Sequence, residues 1–193
     1  IESVKRGTDR SYNEIRELEE AIDRSQLEID GEAIRLLANH SPAGEDLRLI
    51  LAINHINAAL ERIGDQSVNI AKYVRQMKEA GADRFVGHFH PMLNLAQSMV
   101  ADSLEAFAQR DLTLAEAVMD RDEQVDILDK MISREILKGE HLNPSLSWKE
   151  GAPVAFAQIM LSRAIERAAD RACNICQEIF FIVEGKDLRH QIA

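Results

Sequence analysis

Four pairs of acids spaced at i and i+4 form the pattern in this chain best suited to chemistry. In Leu60-Glu-Arg-Ile-Gly-Asp-Gln-Ser-Val-Asn-Ile70, the residues Glu61, Asp65 and Asn69 recur at every fourth position. The stretch Ile165-Glu-Arg-Ala-Ala-Asp-Arg-Ala-Cys-Asn-Ile175 repeats the Glu, Arg, Asp, Asn and closing Ile, placing Glu166, Asp170 and Asn174 105 positions later. Two more acid-x-x-x-Asp pairs come before them: Glu19 with Asp23, 42 residues ahead of Glu61, and Asp122 with Asp126, 44 ahead of Glu166. A helix, a loop and a returning helix would produce that separation.

Residues at i and i+4 share one helix face, and like charges there repel by roughly a few tenths of a kcal/mol per pair. Two such pairs facing each other across antiparallel helices repel more. Water, Arg or Lys partners, or a bound cation would relieve the strain. An all-oxygen ligand set suits Mg²⁺, Ca²⁺ or Mn²⁺, and carboxylates on facing helices also hold iron. Asn69 and Asn174 could add carbonyl oxygens or orient the carboxylates. A single acid pair on a helix is ordinarily a solvated face. Here the pattern recurs at matching places in both halves, beside the small residues Gly64, Ser67, Ala169 and Ala172, and that favours a cation site.

Other chemistry has less support. His88 and His90 read as polar loop residues, and His55 lies off the Glu61 face. The chain has no Glu-x-x-His pair of the kind used by ferritin-like di-iron proteins. It also has no glycine-rich phosphate loop and no nucleophile signature. Cys173 and Cys176, at i and i+3 on one helix, read as two small core residues in a reducing compartment. A net charge of −10 and a pI near 5.1 argue against nucleic acid as a partner. With no long apolar run and no signal-peptide pattern, the chain reads as a soluble cytoplasmic protein.

The elements that must position the acids are helices. Proline is rare, and Leu, Ala, Ile, Glu and Arg dominate. Apolar periodicity predicts helices over 9–39, 42–80, 91–109, 112–138 and 153–184. Ser41-Pro42 serves as N-cap and first residue of the second, and Gly185 stops the last. Two glycines and a proline mark a junction at 80–91, and a loop spans 139–151. The second half is thus an antiparallel three-helix bundle. The first half repeats its second and third helices, but only Ile1 to Lys5 precede the Gly7-Thr8 break. The expectation is an all-α chain of two tandem three-helix bundles, 1–86 and 87–193, related by internal duplication, in which most of the leading helix of bundle 1 is missing and the chain is trimmed.

These residues carry a family likeness. Ser41-Pro-Ala-Gly-Glu-Asp-Leu-Arg48, the two motifs above and the ending Phe181-Ile-Val-Glu-Gly-Lys-Asp-Leu-Arg-His190 resemble the PhoU family of phosphate-transport regulatory proteins in order and spacing. The resemblance implies two PhoU-like bundles and a non-enzymatic adaptor. Such an adaptor dampens phosphate-starvation signalling and phosphate uptake by contacting a sensor histidine kinase and the ATPase subunit of the phosphate ABC transporter. It also implies a homodimer and multinuclear metal clusters of iron, zinc, manganese or magnesium. Carried over, the metal-binding motifs fall on Glu19, Asp23, Glu61, Asp65, Asp122, Asp126, Glu166 and Asp170, with Asn69 and Asn174 beside them. Ala169 and Cys173 stand where the first copy has Gly64 and Val68, so the two sites are expected to differ in occupancy. A carboxylate-bridged metalloenzyme and a bundle of merely solvated acids are the competing readings.

Overall fold

The computed structural model describes residues 9–80, 85, 87–139 and 148–188. Among them are six α-helices and no strand: α1 Asp9–His40, α2 Glu45–Glu79, α3 Phe89–Gln109, α4 Leu112–Met119, α5 Asp122–Lys138 and α6 Trp148–Glu184. Ile1 to Lys5, parts of the 80–91 junction and of the 139–151 loop, and the last five residues lie outside the described set.

Several helix ends differ from the sequence expectation. Ser41 and Pro42 do not start α2. Ser41 (φ 44°) and Gly44 (φ 61°) both take left-handed backbone, so this stretch is used to reverse the chain between α1 and α2. The helix begins at Glu45, its first bond running from the Arg48 amide to the Gly44 carbonyl at 3.2 Å. Glu45 and Asp46 in the first turn suit the positive helix end. α3 starts at Phe89, so Pro91 sits in its first turn, where an amide hydrogen has no intrahelical partner to lose. α6 starts at Trp148 and carries Pro153 inside it. The proline therefore costs one bond there and does not open the helix. At the other end Gly185 (φ 70°) donates its amide to the Phe181 carbonyl at 3.1 Å, the expected stop.

The largest correction concerns 112–138, which is two helices and not one. No glycine or proline marks the break at Asp120 and Arg121. Side-chain bonding makes it. Arg121 donates through Nε to the Ala117 carbonyl at 2.9 Å and through Nη1 to Ser98 Oγ at 3.2 Å, and pairs through Nη2 with Asp102 Oδ2 at 2.6 Å. The guanidinium thereby closes the end of α4 and ties the corner to α3. A similar hand-over precedes it, where Arg110 turns left-handed after α3 and Asp111 Oδ1 accepts from the Leu114 amide as the N-cap of α4.

α2 packs along α6 through the middle of the molecule, α1 packs on α2, and α3, α4 and α5 pack on α6. The main apolar cluster joins Val74 and Met77 of α2 to Met92, Met99, Ile132, Leu161, Ile165 and Ile179. A second cluster joins Ala52, Ile56 and Ala59 of α2 to Ile175 and Ile182 of α6. The core therefore runs across the connection between the halves. α3, α4–α5 and α6 form a three-layer bundle, as the periodicity of the second half requires. α1 buries much less: Leu18 is 66% exposed, and Ile22, Ile29 and Leu36 are also open.

Candidate metal centre

The antiparallel pairing of α1 with α2 brings the first acid set face to face. Glu19 has its pKa raised first by desolvation, then by the charges of Asp23, Asp65 and Glu20, with Arg16 opposing. Asp23 Oδ1 is buried without a hydrogen-bond partner. Glu61 lies 3.3 Å from Arg62 Nε, and Asp65 lies 3.5 Å from Arg62 Nη1. Gly64 is buried beneath this set. A methyl group added there would meet Ile22 Cδ1 at 3.5 Å and Glu19 Cγ at 3.6 Å, which is ordinary contact. Asn69 follows one turn on, partly buried. Glu19, Gly64 and Ser67 also border an apolar groove of about 350 Å³.

The second set repeats the arrangement between α5 and α6. Asp122 has its pKa raised by burial, then by Asp170 and Asp126, while a hydrogen bond from the Cys173 thiol works the other way. Glu166 has its pKa raised by burial, then by Asp170 and Asp129 and more weakly by Asp126, with Arg163 opposing. Asp170 therefore faces Asp122 across the helix pair, and Glu166 faces the α5 acids. Asp126 holds Lys130 Nζ at 3.4 Å and Asp170 holds Arg171 Nη2 at 3.0 Å. Cys173, in the place of Val68, is a buried thiol whose pKa is raised by desolvation and then by Asp122. Burial pushes Cys176 up to about 12, so both remain neutral thiols, as the core reading expects.

In kind, the residues fit a hard cation: oxygen donors from facing helices, mutual repulsion that a cation would relieve, and one orphaned carboxylate oxygen at Asp23. Yet among the described residues no three His, Cys, Asp or Glu side chains converge closely enough to hold one ion. Closing either set requires carboxylates to turn from their Arg and Lys partners. The histidines lie elsewhere. His88 Nε2 meets Glu135 at 3.0 Å, and His55 Nδ1 meets Glu178 at 3.2 Å.

Comparison with known proteins identifies the scaffold. The PhoU domain model matches residues 1–74 and 89–179, one stretch for each acid set. The chain belongs to the PhoU family. It is 34% identical over 178 residues to the phosphate-specific transport system accessory protein PhoU homolog of Pseudomonas putida, covering 92% of this chain and 68% of that one. Its identity to the PhoU accessory protein of Escherichia coli K12 is 30% over 176 residues, covering 88% and 68%. The crystal structure of PhoU from Pseudomonas aeruginosa superposes with a TM-score of 0.87 at 30% identity, over 95% of this chain and 86% of the other. The phosphate transport system regulatory protein PhoU of Streptococcus pneumoniae gives 0.81 at 30%, over 95% and 83%. No described helix is long and apolar enough to cross a membrane.

Each PhoU repeat also carries a polar position that sequence reading missed. Ser162 Oγ donates to Asp129 Oδ1 at 2.7 Å inside the α5–α6 pair, and Arg163 Nη1 lies 3.5 Å from Oδ2. At the duplicate position, 105 residues earlier, Asn57 Nδ2 donates to the Gln26 carbonyl and to Asp30 Oδ1, both at 3.0 Å. The signal was present: stepping each motif back by four gives Asn57-Glu61-Asp65-Asn69 and Ser162-Glu166-Asp170-Asn174. Each row thus begins with a neutral side chain bonded to the facing helix and continues into acids.

Proposed function

We propose that this chain is a regulatory accessory protein of a phosphate-uptake system, acting as a non-enzymatic adaptor. The observation that carries the reading is its likeness, over 95% of its length, to a structure described as a phosphate transport system regulatory protein. In this reading it restrains phosphate-starvation signalling and phosphate uptake by contacting the ATPase subunit of a phosphate ABC transporter and a sensor histidine kinase at the cytoplasmic side of the membrane, and it works as a homodimer. The long α2–α6 pair supplies an extended helical scaffold of the kind an adaptor needs.

The facing acid sets are the proposed cation sites, Glu19, Asp23, Glu61 and Asp65 in one repeat and Asp122, Asp126, Glu166 and Asp170 in the other. Asn69 and Asn174 hold or orient from the next turn. The orphaned Asp23 Oδ1 supports this, because a cation would satisfy it. Iron, zinc, manganese and magnesium are the candidate ions, and the ion's role there is structural or at the partner contact.

The test is a phosphate-responsive reporter in cells lacking the chain. We expect expression in phosphate-rich medium, restored to silence by the chain, together with co-purification of the transporter ATPase subunit. A reporter that stays silent without it, and an ATPase subunit that does not co-purify, would overturn the reading.

A further inference from the structure

We draw no further inference here: the strongest candidate, the exposed apolar face of α1 over α2, with one groove lined by Ile15, Leu18 and Ile22 and another by Ile29, Leu36 and Ile53, carries nothing because nothing in the structure shows what covers it.

Discussion

Ser162 of α6 gives its hydroxyl hydrogen to Asp129 of α5 at 2.7 Å, and both side chains are shut away from water. This bond pins the register of the two helices beside the second acid set. Replacing Ser162 with Ala leaves a buried carboxylate short of a donor. Replacing Asp129 with Ala leaves the hydroxyl only the weak Met92 Sδ acceptor at 3.6 Å and releases Arg163. Each change should cost about 1–3 kcal/mol, as a lost buried hydrogen bond does. Chemical denaturation of the two single variants and the double variant measures it. A double loss equal to the sum of the single losses would show that the bond carries no coupling.

Metal content tests the facing carboxylates. Protein purified without chelator or affinity tag should carry bound metal, and Asp65→Ala and Asp170→Ala should each lower the stoichiometry read by elemental analysis. Unchanged content in both variants removes the cation-site proposal.

Acidification should stabilise the metal-free protein through this same repulsion. Glu19, Asp122 and Glu166 have folded-state pKa values above 4.5, 3.8 and 4.5 respectively. An acid with a raised folded pKa binds protons more readily when folded, so its penalty is full near neutral pH. The penalty fades as pH falls through the folded value and is gone below the unfolded one. In chelator, the melting temperature should therefore gain from these groups as pH falls from neutrality into the ordinary carboxylate range at about 4. Glu166→Gln should flatten that part of the curve, and an unchanged slope would rule out burial and carboxylate repulsion at Glu166 as its cause.

Gly64 and Ala169 occupy the same place in the two repeats, and the space above Gly64 accepts a methyl at ordinary distances. Gly64→Ala should therefore raise stability by up to about 1 kcal/mol, the helix-propensity difference. A lower denaturation midpoint would mean that α1 approaches α2 more closely than these contacts imply.

The corner between α4 and α5 depends on Arg121. Arg121→Ala removes the pairing with Asp102 and the bonds to Ala117 and Ser98. We expect a loss of about 1–3 kcal/mol. Arg121→Lys should recover only part of it, because an ammonium lacks the planar fork that reaches three acceptors in fixed directions. Thermal melts of the pair provide the comparison, and full rescue by lysine would reduce the corner to a simple charge contact.

The sequence by itself determined the all-helical class, the course of most helices, the duplication and the facing of the acid sets. These are local matters: a 3.6-residue period sets which residues share a face, and the 42- and 44-residue spacings bring the faces back together. Glu19 opposite Asp65 and Asp122 opposite Asp170 followed from that arithmetic. Only the tertiary structure decided the break at Asp120–Arg121, the start of α6 ahead of Pro153, and the roles of Asn57, Asp129 and Ser162. Arg121 ends a helix because Ser98 and Asp102, on another helix, hold its guanidinium. Asp129 is tolerated inside because Ser162, 33 residues away, answers it. Helix propensity differs by only about 1 kcal/mol or less between most residues, so contacts of this size overrule it wherever distant side chains meet.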